Sequence, residues 1–216
     1  MRREVVCADS LPWMSARGVI ADACAITSLP DVSEIGISLP AWRLWFIDAV
    51  KRVVDSIPSD RVAIFFQSDI KRDGRWIDKG AMVTRAAEDA GASILFHKIV
   101  CRRPPGMLTQ GRPGFTHLIA VSRDMRCPDV LSIPDVIVDA GRSPWVRAMG
   151  IRAAAHAVRF ARDEGRASTI FDPFCGVGTV LAVANCLGLH AIGIEKAKKR
   201  SELAQQLEIS SVELER

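Results

Sequence analysis

The residues best placed to do chemistry lie late in the chain, in Thr169-Ile170-Phe171-Asp172-Pro173-Phe174-Cys175-Gly176-Val177-Gly178-Thr179. A short apolar run ends there in an acid, turns through two glycines and opens onto a helical pattern. Glycines let a backbone approach a ligand closely, and a helix start offers N–H groups that have no partner within the helix. A turn built to hold a pyrophosphate carries three spaced glycines and no carboxylate. Asp172 stands where that anion would bind, so the loop suits a ligand with an ammonium group. The next strand pattern ends Ile192-Gly193-Ile194-Glu195. A second acid at a neighbouring strand tip is placed to accept hydrogen bonds from ribose hydroxyls.

An ammonium group and a ribose are both present in S-adenosylmethionine, which also carries a sulfonium methyl. The segment Asp172-Pro173-Phe174-Cys175-Gly176-Val177-Gly178-Thr179 resembles the D-P-F-x-G-x-G-T cofactor motif of the amino-directed nucleic-acid methyltransferases. These are the DNA adenine-N6 and cytosine-N4 enzymes and some RNA relatives. The resemblance implies S-adenosylmethionine as cofactor, held by Asp172, Pro173, Phe174, Cys175, Gly176, Gly178, Thr179 and Glu195. In circularly permuted members this motif lies late in the chain, as it does here. Near the start, Cys7-Ala8-Asp9-Ser10-Leu11-Pro12-Trp13-Met14 is similar to the family's G-D-S-L-x-W-L segment, which nominates Asp9 and Ser10 as contacts of the adenine. The following strand pattern, ending at Thr27 (counted with the cofactor residues), leads into Ser28-Leu29-Pro30-Asp31 at the position of the catalytic motif. His97-Lys98-Ile99 and the loop through Arg112-Pro113-Gly114 resemble the hairpin that shapes the target-base pocket, so Lys98, Arg102, Arg103 and Arg112 are expected to bind substrate.

In the resembled family the catalytic tetrapeptide begins with Asp, Asn or Ser and ends in an aromatic. Its first side chain and a backbone carbonyl orient the target amine for in-line attack, and the aromatic stacks on the flipped base. Ser28 and Pro30 fit the pattern; Asp31 replaces the aromatic. Because the chain has no tyrosine, a stacking role falls to Trp42, Trp45 or Trp13, or the target is held differently. Asp31 can hydrogen-bond a base edge, take a proton after methyl transfer, or be a solvent-facing turn residue. Cytosine-C5 chemistry needs a poised thiolate, and Cys24 lies within a strand instead. Met149 and Gly150 are expected either to line the methionine end of the cofactor pocket or to pack a helix on the sheet.

The elements that must position these residues follow from periodicity. Strands are predicted at 4–8, 23–27, 61–67, 93–100, 117–122, 169–172 and 191–195, with helices at 40–56, 79–90, 145–164, 179–187 and 196–207. Strands alternating with helices give an open α/β sheet covered on both faces. No helix separates 93–100 from 117–122, which predicts an antiparallel pair at the sheet edge. The expectation is one Rossmann-like domain over 1–216, with seven strands running third to seventh, then first and second, of the usual methyltransferase sheet. Residues 1–122 form its catalytic and target-binding part and 145–216 its cofactor-binding part. The irregular stretch 123–144 is too short to be a separate recognition module with its own core.

The composition is that of an ordinary globular protein, with 49% hydrophobic and 25% charged residues and a net charge of +4. Six scattered cysteines (Cys7, Cys24, Cys101, Cys127, Cys175, Cys186) include no C-x-x-C pair, so neither a metal site nor a disulfide framework is expected, and all six, Cys127-Pro128 included, read as structural thiols. No apolar run is long enough for a bilayer and no signal-peptide core stands at the start, so a cytoplasmic location is expected. Basic clusters at Arg102, Arg103 and Arg112 and at Lys196, Lys198, Lys199 and Arg200 permit a polyanionic partner. The expected partner is DNA or RNA, and three readings stay open: structured RNA recognised by shape, recognition borrowed from a homodimer or an accessory protein, or DNA methylated with little sequence preference. The other class in view is a cofactor-binding, catalytically inactive regulatory protein; Asp172 and the two-glycine turn disfavour a nicotinamide oxidoreductase.

Overall fold

The computed structural model describes residues 1–127, 129, 132–145 and 148–215. Its strands are β1 (Arg3–Cys7), β2 (Ala23–Thr27), β3 (Ala63–Gln67), β4 (Ile70–Arg72), β5 (Arg75–Ile77), β6 (Ser93–Cys101), β7 (Phe115–Ser122), β8 (Val136–Ile137), β9 (Thr169–Asp172) and β10 (His190–Glu195). Eight of them form one sheet in the order β1-β10-β9-β2-β3-β7-β6-β8, while β4 and β5 pair apart from it. The run from β1 to β3 is parallel, β7 is antiparallel to both β3 and β6, and β8 is parallel to β6. The last two strands of the chain therefore lie between its first two.

Period-2 alternation fixes which side chains enter which half of the core. In β2, Cys24 and Ile26 point to one face and Ala23 and Ala25 to the other; in β7, Leu118 and Ala120 oppose Ile119 and Val121. The first face is covered by α5 (Ile151–Asp163) and α6 (Thr179–Cys186). The second is covered by α1 (Ser10–Arg17), α3 (Leu39–Asp55) and α4 (Lys79–Asp89). The alanines of α5 (Ala153, Ala154, Ala157, Ala161), all buried, let it lie close against α6 and the sheet.

All seven expected strands are present, and the expected mostly parallel α/β sheet with an antiparallel pair is observed. Three strands were not anticipated. β4 and β5 meet at Asp73-Gly74, both residues at positive φ (50° and 70°), the geometry that Asp-Gly supplies in a two-residue hairpin. β8 is too short to show periodicity, yet it pairs with Ile99 and Val100, so the β6–β7 pair lies one strand in from the edge. The helix expected from 145 begins only at Ile151, with Gly150 as its extended N-cap residue (φ −65°, ψ 143°), packed so closely against Ala140 that a Cβ there would overlap the Ala140 carbonyl oxygen. Val146, Arg147 and Pro128 lie outside the described residues. Two short helices, α2 (Val32–Ile35) and α8 (Ser211–Glu215), were also missed, as was α1, which Asp9 caps through Leu11 N. No described helix is long and apolar enough to cross a membrane.

Because β1, β10, β9, β2 and β3 are parallel, their C-terminal ends share one edge. That edge carries Asp9, Glu195, Asp172, Ser28 and Ser68 just at or beyond the strand tips, the crevice where open α/β sheets bind ligands.

Candidate active site

Two cavities open along this edge. The first, of about 510 Å³, is lined by Asp9, Ser10, Asp172, Phe174 to Val177, Thr179, Glu195 and Met149, among others. Asp172 is delivered by β9 and is almost wholly out of water; its Oδ1 accepts from Thr27 Oγ1 at 2.7 Å and from Phe174 N at 3.1 Å. Burial pushes its carboxyl up to about 7, against the opposing pull of those two bonds and with a further push from the Glu195 charge. Glu195, at the tip of β10, accepts through Oε1 from Ala197 N at 2.7 Å and pairs through the same oxygen with Arg200 at 3.1 Å. Thr27 thus positions Asp172 and is not itself among the residues lining the cavity.

Between the two acids runs the glycine turn. Gly176 has φ +56° and open space where a Cβ would stand; Gly178 has φ +84° and caps α6, and a Cβ there would meet Ala204 at 2.8 Å. Thr179, the first residue of α6, lines the cavity, and its buried hydroxyl has no hydrogen-bond partner among the described residues. Ser10 donates its hydroxyl to the Pro173 carbonyl, tying the β1–α1 corner to the turn. Asp9 also lines the cavity and pairs with Lys196 at 3.0 Å. Cys175 is buried, its thiol pushed well up by burial and by the charges of Asp172 and Glu195. Two held carboxylates, an unsatisfied hydroxyl and an open glycine turn fit the amino-acid tail and sugar of S-adenosylmethionine.

The second cavity, of about 530 Å³, contains Asp31, Phe66, Ser68, Lys79, Arg102, Arg103, Arg112 and Thr116. The two cavities share Ser28, Leu29, Glu34 and Ala148. Ser28 is exposed at this junction, immediately after the last residue of β2. Asp31 is not solvent-facing: its side chain is 13% exposed and is paired with Lys79 and, at 3.7 Å, with Arg112. Its backbone N–H donates to Glu34 at 2.9 Å. Burial, with added repulsion from Arg112 and Arg103, lowers the Arg102 pKa.

Two nominated substrate residues are placed elsewhere. Trp42 is fully buried in the α3 core, where its Nε1 donates to the Pro30 carbonyl at 3.1 Å; it braces the turn after β2 and presents no face to a base. Lys98 is buried and paired with Asp135, on the β8 side of β6. The aromatic in the second cavity is Phe66, whose alternation in β3 read only as core. Trp45 and Trp145 line the first cavity instead. Trp13 stacks on Phe171 at 5.7 Å. Met149 and Gly150 divide between the two cavities.

Lys79 was also missed, since the sequence around it reads as a plain helix start. Its backbone N donates to Asp69 at 2.8 Å; Asp69 also accepts from Trp76 at 3.0 Å and pairs with His117 at 3.1 Å. Asp69, Asp78 and His117 bring potential ligand atoms within 4.8 Å of one another, a set not anticipated from the sequence. Cys24 is buried and its thiol is pushed up to about 11 by burial, which keeps it from acting as a thiolate. Among the described residues no cysteine is joined in a disulfide, and Cys7 and Cys127 are exposed rather than packed in the core as structural thiols.

Residues 157–206 match the family model described as DNA methylase. No curated protein matches the sequence. Solved structures are similar over nearly the whole fold. One is the PvuII cytosine-N4-specific DNA methyltransferase, with TM-score 0.77 at 12% identity, covering 100% of this chain and 90% of that one. A second is a protein of Thermus thermophilus described as a DNA modification methylase and solved with S-adenosyl-L-methionine, with TM-score 0.72 at 18% identity, covering 94% and 91%. A third, the complex of M1.HpyAVI with the same molecule, has TM-score 0.64 at 15% identity and covers 94% and 98%.

Proposed function

We propose that this chain transfers a methyl group from S-adenosylmethionine to an exocyclic amine of a base in DNA. The observation that carries this reading is the meeting of two cavities at Ser28 and Leu29, one bounded by paired acids and a glycine turn, the other by cations. When bound, the cofactor supplies a sulfonium methyl open to in-line attack. Asp172 would hold its ammonium group and Glu195 its ribose hydroxyls, each through the oxygen not already bonded within the protein, and Asp9 and Ser10 would flank the adenine. Ser28 and a backbone carbonyl of the same turn accept hydrogen bonds from the target amine and aim its lone pair across the junction. Asp31, braced by Lys79, offers a carboxylate oxygen to the edge of the base, and Phe66 offers an apolar face. The residues of this turn would direct the proton lost from the amine to solvent, with the electrophilic methyl transferred and the donor left as the neutral thioether.

Arg102, Arg103 and Arg112 rim the acceptor side and suit phosphates. The division of labour follows the cavities: residues 1–122 supply most of the acceptor side, and 145–216 most of the donor side. Sequence selection falls to a second copy of the chain or to an accessory protein. The family match and the fold neighbours solved with the cofactor favour catalysis over an inactive, cofactor-binding regulator.

The test is incubation of the purified chain with isotopically labelled cofactor and unmethylated DNA or RNA, followed by mass spectrometry of the nucleosides. Labelled N6-methyldeoxyadenosine or N4-methyldeoxycytidine from DNA is expected. Label in RNA alone would move the substrate class, and no label in either would remove the catalytic reading.

A further inference from the structure

We propose that the β4–β5 hairpin is a phosphate clamp that seats the backbone of duplex DNA beside the acceptor cavity. The inference rests on the methyltransferase reading and adds to it a surface that none of the motif residues supplies. The hairpin reads Ile70-Lys71-Arg72-Asp73-Gly74-Arg75-Trp76-Ile77. Ile70 and Ile77, directly paired, are buried and anchor its base in the core. Lys71, Arg72 and Arg75 are exposed and have no carboxylate partner among the described residues. Most other cations near the site are engaged: Lys79 and Arg112 with Asp31, Lys196 with Asp9, Arg200 with Glu195. Three unpaired cations on one short hairpin are thus a surplus of positive charge.

The hairpin is held rigidly. Its turn is the two-residue Asp73-Gly74 type, Trp76 is pinned by donating to Asp69, and the Lys71 ammonium lies 5.5 Å from the Trp76 ring centre. Rigid presentation lowers the entropy lost when each cation meets a phosphate. Its two feet belong to the acceptor cavity: Ser68 on one side and Lys79 on the other both line it, and Asp69 joins them through the Lys79 N–H. Ser68 also accepts from Arg102 at 3.4 Å, which links the hairpin to the arginine loop. A duplex lying across Lys71, Arg72 and Arg75 is therefore held beside the opening into which a base must turn.

The experiment measures binding of the full chain to a labelled duplex by fluorescence anisotropy over a range of salt concentrations. The variant carries Lys71→Gln, Arg72→Gln and Arg75→Gln together. A control carries Arg17→Gln, Arg126→Gln and Arg166→Gln, which remove the same charge from the opposite edge of the sheet, before β2 and β9 and after β7. If each hairpin cation neutralises one phosphate, the slope of log K against log salt falls in magnitude by about 2.7 in the hairpin variant, from about 0.9 per contact. The control keeps the wild-type slope, and calorimetric binding of S-adenosylmethionine is unchanged in both. An unchanged slope in the hairpin variant, or an equal fall in the control, overturns the clamp while leaving the enzymatic reading intact. A wild-type chain that does not bind the duplex overturns both.

Discussion

Asp172 is held out of water by the strand that delivers it, and the consequence is a carboxyl pushed up to about 7. An unfolded aspartate titrates near 4 (about 3.9). Between those values the folded chain keeps a proton that the unfolded chain has released. The ligand-free fold therefore loses stability as pH rises from about 4 to about 7 and holds level above. An ammonium group brought against the carboxylate reverses the preference and expels the proton. Calorimetry in buffers of different ionisation enthalpy should then record release of nearly one proton on cofactor binding at about pH 6 and nearly none at about pH 8. Asp172→Asn removes that linkage. Asp172→Ala and Glu195→Ala should each weaken the cofactor at least tenfold, about 1.4 kcal/mol. Ser28→Ala should leave cofactor affinity unchanged and lower the methyl-transfer rate, a split that a loss of folding would not produce. These residues were legible because an acid before a glycine turn and an acid at the next strand tip are unusual together. Lys79 and Phe66 were not, because a lysine at a helix start and a phenylalanine in a strand have ordinary structural uses, and only the assembled sheet brings them to Asp31 and Ser28. Trp42 misled for the reverse reason: near the turn after β2 in sequence, it is turned inward by the face of α3 on which it lies.

At the scale of elements, the glycine turn separates two requirements that the sequence writes with one letter. Gly176 needs a left-handed backbone but has room for a side chain, whereas Gly178 needs both the backbone and the space, with Ala204 at 2.8 Å from an added Cβ. Gly176→Ala should cost about 1 kcal/mol of stability, the usual strain of a non-glycine residue in that region. Gly178→Ala should cost clearly more, because α6 and α7 (Lys198–Gln206) must also part; thermal denaturation of the two variants checks the order. The other long elements were read within about two residues from periodicity alone, since both faces of the sheet are buried and the alternation is enforced by packing, while the start of α5 was placed six residues early. The short ones were not: β8 and α2 hold too few residues to show a period, β8 existing because β6 completes its hydrogen bonds and α2 being closed locally by the Asp31–Glu34 capping box and the left-handed Gly36. The β4–β5 hairpin did leave a signal, Asp73-Gly74 between two isoleucines, but the flanking runs of three residues were too brief to register as strands.

Over the whole molecule, the donor cavity is closed by segments from both ends of the chain, with β1 paired to β10 and β9 to β2. A ligand that binds there should stabilise the entire sheet. At one hundred times its Kd the cofactor should add about 2.7 kcal/mol, which for a chain of this size corresponds to a rise in Tm of about 5–11 °C. The rise should shrink in Asp172→Ala. The most direct measurement of the central claim is a crystal structure of the chain grown with S-adenosylmethionine. The arrangement described here requires the amino-acid tail against Asp172, the ribose hydroxyls on Glu195 and the methyl group aimed past Ser28 into the cation-lined cavity. A donor lodged at any other edge of the sheet, or none bound at saturating concentration, would contradict it.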